Sequence, residues 1–463
     1  MTPRVVIVGG GIAGLAAAYE LSRQQVPFVL LESGPRAGGV ILSEQVGGFT
    51  VDAGPDSLLV QKPDAIKLCE ELGLAGRLIP TSPPRLAFIQ RGGRLCPLPA
   101  SSVLGIPTRI GPFVRTPLFS WGGKLRMGAE LAVPARRDAA DESIGAFMTR
   151  RFGAEATTYL AEPLLAGIHA GDVDALSLKA LFPRLAQAEQ QHGSLLRAFS
   201  RERPPASKDG AFRSLPGGLG EMVSALERAL PAGAVRLNQP AVRVLPSRDG
   251  ARVVLASGET VEAAAAVVAT PAYVTAQLLQ ETDARLSALC SEIRYASTAT
   301  IALAFSRAAV GHPLNGSGFV VPRVESSGLL AASWLSSKWG HRAPDGHVLM
   351  RGFVGGARDP HALDRSDAEL VALTLASLRP LLQITGDPIF TRVYRWEQKS
   401  AQHNVGHLAR VELVDRALAV HPRLFITGSG FRGVGIPDCV ADARATARKV
   451  AECVRAVPSP VAS

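Results

Sequence analysis

The sequence is poor in cysteine, and its cysteines form no metal-binding or redox motif. Only five occur in 463 residues, and no two have C-x-x-C spacing. An odd number of widely spaced cysteines is typical of a protein from a reducing compartment. We therefore expect no disulfide, no structural zinc and no iron–sulfur cluster. The five are Cys69, Cys96, Cys290, Cys439 and Cys453.

Aromatic residues, charged residues and long apolar runs are also scarce. Aromatics make up 5% and charged residues 19% of the chain, whereas 47% is hydrophobic. This composition excludes a disordered or simple repeat protein and suits a large core with more than one domain. No apolar run reaches the roughly 18 residues that a membrane-spanning helix needs. A strand pattern begins at Arg4, which argues against a secretory signal, so we expect a cytoplasmic protein.

Acidic residues are fewer than basic ones, 40 against 50, and the formal net charge is +10. Such an excess suits nucleic acid, an anionic membrane face or an acidic small substrate. The basic residues are scattered, and no basic helix is interleaved with aromatics. Nucleic acid is therefore not expected as a partner.

The start of the chain carries a dinucleotide-binding pattern. The apolar run Val5–Val8 predicts a buried parallel strand, and Phe28–Leu31 predicts a second one. Between them lie the turn GGGIAG at 9–14 and a helical pattern, and Glu32 follows the second strand. Strand, glycine turn, helix, strand and acid in this order form the complete G-x-G-x-x-G unit. A glycine-rich turn in an ordinary α/β domain is the alternative.

Each glycine of the unit has a physical role. Gly9 permits the tight turn, Gly11 lets the backbone approach a pyrophosphate, and Gly14 lets the helix pack on the strand. The helix N-terminus offers free N–H groups and a positive dipole end to the phosphates. Glu32 can accept both hydroxyls of an adenosine ribose. The unit alone does not separate NAD from FAD.

A second glycine cluster lies near the far end of the chain. Residues 423–428 predict a strand that ends in glycine, and GVGIPDC at 433–439 then leads into a helix. A buried strand at 264–269, stopped by Pro271, is expected to return the chain to the same domain. One FAD site closed by both ends of the chain would need both clusters.

Specific motifs make the chain resemble a known family. The segment SGPRAGG at 33–39 is similar to the R-x-G-G extension of amine-oxidase-like flavoproteins, with Val40 where amine oxidases carry a second arginine. From end to end, the chain resembles the oxygen-dependent porphyrinogen oxidases of haem synthesis, and most closely the bacterial coproporphyrinogen III oxidases. The motifs are GPDS at 54–57, EPLLAGIHAGD at 162–172, LPGGL at 215–219, GSGFV at 316–320, RW at 395–396 and GVGIPDC at 433–439.

The resemblance implies an α/β flavoprotein of the two-dinucleotide-binding type, with a mixed-sheet substrate domain and a helical domain. The FAD domain is expected at 1–60, 210–280 and 390–463, the substrate domain at 61–94 and 281–389, and the helical domain at 95–209. The implied reaction is the six-electron oxidation of coproporphyrinogen III to coproporphyrin III, with non-covalent FAD as cofactor and O2 reduced to H2O2. The flavin carries the chemistry, so no catalytic side chain is expected.

The resemblance also implies which residues bind the cofactor. Val242 matches the position that packs on adenine, with a core valine as the alternative. The expected FAD contacts are Gly9, Gly11, Ile12, Ala13, Gly14, Glu32, Ser33, Arg36, Gly39, Gly54, Pro55, Asp56, Ser57, Val242, Ala269, Trp396, Gly428, Val434, Gly435 and Ile436.

Substrate contacts are implied in the same way. Arg85 matches the arginine that pairs with a propionate in relatives, and Lys62 is a second candidate; a surface charge is the alternative for each. Ser317 stands where protoporphyrinogen oxidases usually carry an aromatic residue, which favours the tetra-acid substrate. The expected substrate contacts are Arg85, Lys62, Gly167, Ala170, Ser317 and Val320.

Several alternatives stay open. Basic and apolar residues at 109–126 suit either a peripheral membrane contact or a solvated helical lid, and a haem-pathway chelatase is a further candidate partner. Protoporphyrinogen IX oxidase is the nearest alternative activity. An amine oxidase, or a non-catalytic binding protein such as the Rab GDP-dissociation inhibitors, is more distant. His403 and His407 have helical i, i+4 spacing, but no further ligand lies near them, so no metal site is expected.

Overall fold

A computed structural model describes residues 4–99, 102–103, 105–107, 109–136, 138, 140–201 and 209–455. Its strands are β1 (Val5–Val8), β2 (Phe28–Leu31), β3 (Ser43–Val46), β4 (Phe49–Asp52), β5 (Leu58–Leu59), β6 (Ile79–Pro80), β7 (Phe88–Arg91), β8 (Arg94–Pro97), β9 (Ser102–Val103), β10 (Ile106–Pro107), β11 (Phe212–Ser214), β12 (Val235–Arg236), β13 (Ala241–Pro246), β14 (Ala251–Leu255), β15 (Thr260–Ala263), β16 (Ala265–Val268), β17 (Tyr295–Ser306), β18 (Gly318–Val320), β19 (Ala331–Trp334), β20 (His347–Gly355), β21 (Phe390–Ala401) and β22 (Leu424–Ile426).

The α-helices follow the same numbering along the chain. They are α1 (Ile12–Arg23), α2 (Asp64–Glu71), α3 (Ile110–Arg115), α4 (Trp121–Gly128), α5 (Ile144–Phe152), α6 (Ala154–Ala156), α7 (Leu178–Leu181), α8 (Pro183–His192), α9 (Leu195–Arg201), α10 (Gly220–Ala229), α11 (Ala272–Leu279), α12 (Ala284–Ser291), α13 (Leu335–Lys338), α14 (Asp367–Leu382), α15 (His407–Leu418) and α16 (Ile436–Arg455).

A five-stranded parallel sheet forms the expected dinucleotide-binding domain. Its order is β12-β2-β1-β16-β22, and each neighbouring pair is parallel. The central strands β1, β2 and β16 are buried along their whole length, as their apolar runs predict. Helices α1, α10 and α16 contribute buried residues to the core on one face of this sheet. The α/β fold class is confirmed.

A seven-stranded mixed sheet forms the second large unit. Its order is β21-β17-β20-β19-β18-β7-β8, and only the pair β18 and β7 is parallel among its described strands. Strand β21 pairs with β17 over nearly its full length, so it is part of this sheet. The segment expected to belong to the FAD domain from residue 390 begins with this strand, and the division into domains stays a prediction. The boundary at 94 also cuts the β7–β8 hairpin.

A helical unit covers one end of the seven-stranded sheet. Helices α3 to α9 lie between residues 110 and 201 and share one apolar core. Within it, Thr157–Ala166 is wound as a π-helix that contains Pro163, and a short 3-10 turn, Gly167–His169, follows. Among the described residues, no helix is both long and apolar enough to cross a membrane.

Buried charges fix the loop between β4 and β5 to the seven-stranded sheet. Asp56, in the loop between β4 and β5, is buried and accepts hydrogen bonds from Lys338 Nζ at 3.0 Å and from Trp339 Nε1 at 3.1 Å. Arg351 of β20 forms an ion pair with the same carboxylate at 2.9 Å. Burial alone would raise the pKa of Asp56, but Lys338 and Arg351 hold it well below its usual range. The loop is thereby fixed to the seven-stranded sheet.

A second buried pair lies beside the first. Arg342 and Asp52 are both inaccessible to solvent, and their side chains are 2.9 Å apart. Arg342 also donates to the carbonyls of Leu215 at 2.9 Å and Pro216 at 2.5 Å. Burial raises the pKa of Asp52 despite the nearby arginines, because removing this carboxylate from water outweighs their attraction.

Breaking the Asp56 cluster should destabilise the fold strongly. The substitution Asp56→Asn leaves Lys338 and Arg351 buried without their counter-charge, which typically costs about 3–5 kcal/mol. We expect a loss of that size in the free energy of unfolding from urea denaturation. The matched control is Asp387→Asn, which removes an exposed ion pair with Arg379 at 2.7 Å and should cost less than about 1 kcal/mol. Equal losses for the two variants would contradict this account.

Candidate functional site

The candidate site lies at one edge of the parallel sheet. Val8 is in register with Leu31 and with Val268, and Val268 is in register with Ile426. Because the strands are parallel, the loops that follow them all leave the sheet at this edge. Ligands of open α/β sheets bind in such a crevice. The edge brings both glycine clusters of the sequence together.

The glycines of the first loop act as the sequence predicts. Gly9 has φ +105°, and a Cβ there would lie 2.7 Å from the carbonyl oxygen of Ala269. A Cβ on Gly14 would lie 1.9 Å from the carbonyl oxygen of Gly9, which accounts for glycine at this helix–strand contact. Gly9 and Gly14 are therefore required by the protein's own packing. Ile12 and Ala13 form the first turn of α1 between them.

Gly11 differs from its neighbours because the space beside it is open. A Cβ built on Gly11 would have no described atom within 4 Å, and its φ of −68° suits any residue. Gly11 is the N-cap of α1, and no described side chain caps this helix. Unpaired N–H groups at a helix N-terminus next to open space fit a pyrophosphate group. The residues of this loop thus fit the dinucleotide that the sequence implies.

Glu32 is held in place at the end of β2. Its two carboxylate oxygens accept hydrogen bonds from the backbone N–H groups of Gly10 at 2.6 Å and Gly34 at 2.7 Å. The hydroxyl of Ser33 lies 3.2 Å from one of them. A carboxylate accepts up to about four hydrogen bonds, so sites remain for ribose hydroxyls. The position confirms that Glu32 borders the glycine loop.

Arg36 makes its described hydrogen bonds within its own loop. Its guanidinium donates to the carbonyls of Ala37 at 3.1 Å, Ile41 at 3.2 Å and Gly39 at 2.6 Å. The side chain therefore folds back on its own loop instead of pointing towards a phosphate. It stabilises a turn in which Gly38 and Gly39 both have positive φ. Arg36 therefore supports the loop that passes over Gly11, and its expected contact with the FAD phosphates stays a prediction.

The segment 54–57 meets Trp396 at the site. A Cβ on Gly54 would lie 2.0 Å from the carbonyl oxygen of Val40 and 3.7 Å from the Trp396 ring, and Trp396 Nε1 donates to the carbonyl of Ala53 at 3.2 Å. The Asp56 side chain is engaged by protein cations, and Ser57 donates to it at 2.5 Å. The Asp56 carboxylate is therefore engaged within the protein, and contacts of Gly54 and Pro55 with FAD stay a prediction.

The second glycine cluster connects β22 to α16. Gly428 has φ +123° and Gly433 has φ +155°, conformations that favour glycine. A Cβ on Gly433 would lie 2.3 Å from the Cβ of Asp438, so the first turn of α16 packs directly on this loop. Val434, Gly435 and Ile436 lead into the helix as expected.

Lys62 is engaged by that same helix. Its Nζ lies 2.7 Å from both carboxylate oxygens of Asp438. The lysine expected to meet a substrate propionate is therefore already paired with a protein carboxylate. Lys62 joins the turn after β5 to the cofactor side of the site. Its assignment as a substrate contact stays a prediction that this pairing does not support.

Val242 is not a core valine. It lies at an irregularity in the pairing of β13 with β14, and its side chain is 44% exposed. The alternative given by the sequence is therefore wrong. An exposed apolar side chain on the dinucleotide-binding domain suits a base-stacking role, which stays a prediction.

Arg85 and Ser317 lie close together. The N–H of Ser317 donates to the carbonyl of Leu86 at 2.8 Å, and Arg85 Nε donates to the carbonyl of Thr81 at 3.0 Å. Strand β18, which ends at Val320, pairs in parallel with β7, which follows the Arg85 segment. The structure thus groups three of the expected substrate residues.

Gly167 and Ala170 lie on a tight turn after the π-helix. Ala170 has φ +51°, which is uncommon for alanine. Its N–H donates to the carbonyl of Gly167 at 3.0 Å, and its own carbonyl accepts from Ala357 at 2.8 Å. The turn is therefore fixed to the end of β20. Hydrogen bonds within the turn and to Ala357 hold this uncommon backbone conformation in place.

Sequence reasoning missed the buried cations around these loops. Arg358 forms a 2.9 Å ion pair with Glu162, which lies in the π-helix next to the Gly167 turn. Arg351 donates to the carbonyls of Asp52 at 2.5 Å and Gly54 at 2.8 Å. Isolated arginines carry no local signal of such contacts in the sequence, and only the tertiary fold brings the pairs together.

The two histidines noted in the sequence do not share a helix. His407 begins α15, whereas His403 precedes the turn that leads into it. Their i, i+4 spacing is therefore not helical, and this part of the interpretation is wrong. Among the described residues, no group of three or more histidine, cysteine, aspartate or glutamate side chains could hold a metal ion.

Known proteins are similar to this chain over nearly its whole length. The family described as flavin containing amine oxidoreductase matches residues 12–451. A coproporphyrinogen III oxidase of Bacillus subtilis (strain 168) is 37% identical over 455 residues, covering 95% of this chain and 96% of that protein. The coproporphyrinogen III oxidase of Propionibacterium freudenreichii subsp. freudenreichii is 36% identical, covering 98% and 92%.

Solved structures show the same likeness. A crystal structure from Exiguobacterium sp. 255-15, provisionally named protoporphyrinogen oxidase, superposes with a TM-score of 0.87 at 32% identity. The match covers 98% of this chain and 99% of that one. The two proteins therefore share the same fold over nearly their whole lengths.

Substituting Gly11 should remove cofactor binding while sparing the fold. In Gly11→Val, the new Cβ has no described atom within 4 Å, and its methyl groups extend into the space beside the helix N-terminus. We expect the purified variant to be colourless, with a melting temperature close to that of wild-type apoprotein. The control is Gly76→Val, another glycine with open space and no positive φ, away from the sheet edge. Normal FAD content in Gly11→Val would show that the loop is not the pyrophosphate site.

Proposed function

This chain belongs to the flavin-containing amine oxidoreductase family, and from that premise we propose that it oxidises coproporphyrinogen III to coproporphyrin III. FAD is its cofactor, and O2 is the proposed electron acceptor. The observation that carries the proposal is its 37% identity, over 95% of the chain, to a coproporphyrinogen III oxidase. The site supports it, because both FAD-facing glycine loops are intact and a basic residue lies beside Ser317.

The cofactor supplies the redox chemistry. Bound FAD provides two-electron oxidation, so a six-electron conversion requires three rounds, each with one O2 reduced to H2O2. The protein's own contribution is binding and orientation. Gly11 and the start of α1 hold the pyrophosphate, Glu32 orients the ribose, and Trp396 and Gly54 shape the wall between cofactor and substrate.

Positive charge at the mouth of the site suits the substrate. Coproporphyrinogen III carries four carboxylates, whereas protoporphyrinogen IX carries two. Arg85 Nε is held by Thr81, and no described acidic side chain forms an ion pair with its guanidinium, so its remaining donors can meet a propionate. Ser317 leaves a more polar and more open wall than an aromatic residue would. Both features favour the tetra-acid.

Three alternatives are less well supported. Protoporphyrinogen IX oxidase is the nearest one, and the Exiguobacterium structure carries that provisional name. It would be expected to have an aromatic residue in place of Ser317. An amine oxidase would carry a second arginine in place of Val40. A non-catalytic binding protein would have no need for the two glycine loops that this chain keeps.

Removing Arg85 tests the substrate assignment. In Arg85→Ala, we expect KM for coproporphyrinogen III to rise roughly tenfold to thirtyfold, because a screened carboxylate partner is worth about 1–2 kcal/mol. The flavin spectrum and kcat should change little. The matched control is Arg94→Ala, which removes an exposed cation from β8 and should leave KM unchanged. An unchanged KM in Arg85→Ala would exclude this residue from substrate binding.

We also propose a peripheral contact with the cytoplasmic face of a membrane. Trp121 and Leu125 on α4 are 67% and 75% exposed. Ile110 on α3, the helix that precedes α4 in the chain, is also exposed. Lys124 lies 4.6 Å from the Trp121 ring centre. Exposed apolar side chains interleaved with cations suit an anionic bilayer surface.

A haem-pathway chelatase that uses the porphyrin product is a further proposed partner. Its only support is that such an enzyme would act on the product of the proposed reaction.

Vesicle sedimentation tests the membrane contact. We expect the protein to sediment with vesicles that contain anionic lipid, and the double variant Trp121→Ser/Leu125→Ser to bind roughly tenfold or more weakly, because each buried apolar side chain contributes about 1.5–3 kcal/mol. The control is Val420→Ser, since Val420 is 71% exposed on the turn before β22, far along the chain from α4. Wild-type protein that remains in the supernatant would contradict the proposal.

A further inference from the structure

Two buried histidines are stacked next to the cofactor side of the site. The rings of His403 and His407 lie 3.7 Å apart between centroids with an interplanar angle of 11°, and both are buried. The turn between them is held in place, because the N–H of His407 donates to the carbonyl of Asn404 at 2.9 Å. The Gly406 N–H donates to Asp141 at 3.2 Å. The pair is therefore part of a fixed structure between β21 and α15.

Both rings make a hydrogen bond to the same loop. His403 Nε2 lies 3.0 Å from the carbonyl oxygen of Ser429, and His407 Nε2 lies 2.8 Å from the carbonyl oxygen of Phe431. A carbonyl oxygen only accepts, so each Nε2 carries the hydrogen and donates it. Ser429 and Phe431 lie between Gly428 and Gly433, in the loop that joins β22 to α16.

We propose that the stacked imidazoles of His403 and His407 are positioning residues that hold the loop 427–435 in its FAD-binding conformation. This inference rests on FAD binding at the sheet edge, as in the proposed function. The glycines give this loop conformational freedom, and the two donors remove it at two points. Neither histidine needs to touch the cofactor, because each acts through the backbone of the loop.

The rings act as a neutral pair. The pKa of His403 is lowered to about 3, mainly by burial and also by the neighbouring His407 and His169, while the hydrogen bond to the Ser429 carbonyl opposes this shift. Burial also lowers the pKa of His407, and Arg410 adds to this effect, while the Phe431 carbonyl and Asp141 oppose it. His407 Nδ1 is buried and has no partner among the described residues, so it offers no stable place for a second proton.

The sign of the pH effect follows from these directions. An imidazole in an opened loop regains a pKa near its ordinary value of about 6.5 and takes up a proton below it. The closed, neutral pair is therefore fully favoured above about pH 6.5 and is progressively disfavoured as the pH falls towards the lowered folded value. Each ring can contribute at most about tenfold per pH unit to this change.

Two substitutions of His403 separate the hydrogen bond from the ring. His403→Gln places an amide donor near the position of Nε2 but cannot be protonated. His403→Phe keeps a stacked ring but has no donor for Ser429. The matched control is His421→Gln, because His421 Nε2 lies 2.9 Å from Asp283 and does not contact the loop.

The readout is the dissociation constant of FAD from apoprotein, measured by quenching of flavin fluorescence at about pH 7.5 and pH 5.5. At the higher pH, His403→Phe should bind FAD about tenfold more weakly, whereas His403→Gln and His421→Gln should stay within about threefold of wild type. When the pH is lowered from the first value to the second, the affinity of wild type for FAD should fall. The affinity of His403→Gln for FAD should fall less.

Several outcomes would overturn the positioning role. Wild-type affinity in His403→Phe would do so, and so would equal weakening in the Phe and Gln variants, since a general packing defect would affect both. An identical pH dependence in His403→Gln and wild type would show that protonation of this ring does not open the loop. If His403→Phe does not fold, the FAD affinity of His403→Gln and its pH dependence, each compared with wild type, still test the positioning role. Wild-type apoprotein that binds no FAD at all would instead overturn the proposed function.

Discussion

The geometry of the site depends on the buried charge cluster centred on Asp56. Lys338 at the end of α13 and Arg351 on β20 both pair with this carboxylate, and Arg351 also donates to the carbonyl of Gly54, so the loop after β4 is fixed to the seven-stranded sheet. Charges buried this deeply are tolerated because they neutralise one another and because hydrogen bonds satisfy most of their remaining atoms. The Asp56 cluster therefore fixes the loop between β4 and β5 to strand β20 and helix α13.

Local pattern explains why much of the fold could be predicted. The apolar runs of β1, β2 and β16 match strands that are buried along their length, and Gly9 and Gly14 lie where a Cβ would collide with backbone. These features depend on near neighbours in the chain, or on glycine, whose constraint is visible in the sequence itself. The pairing of β21 with β17 could not be predicted, for the opposite reason. Its partner, β17, lies about a hundred residues earlier in the chain. Pairing between strands so far apart produces no recognisable pattern in the sequence of either strand.

The same distinction separates the site residues. Gly11 and Glu32 could be placed from the glycine motif, because the motif is a contiguous unit. Lys62 and Arg36 could not, because the partner of a long charged side chain is decided by the tertiary fold. Lys62 is paired with Asp438, 376 residues away, and Arg36 folds back on its own loop. The histidine pair belongs to this second class, since its partners lie in a loop more than twenty residues further along the chain.

The central claim is that a flavin held at this sheet edge oxidises coproporphyrinogen III. The most direct measurement is the loss of flavin colour when the holoenzyme is mixed, without oxygen, with coproporphyrinogen III or with protoporphyrinogen IX at equal concentration. We expect both porphyrinogens to reduce the flavin, coproporphyrinogen III to do so faster, and the colour to return when O2 is admitted. Faster reduction by protoporphyrinogen IX, or no bleaching by either porphyrinogen, would contradict it.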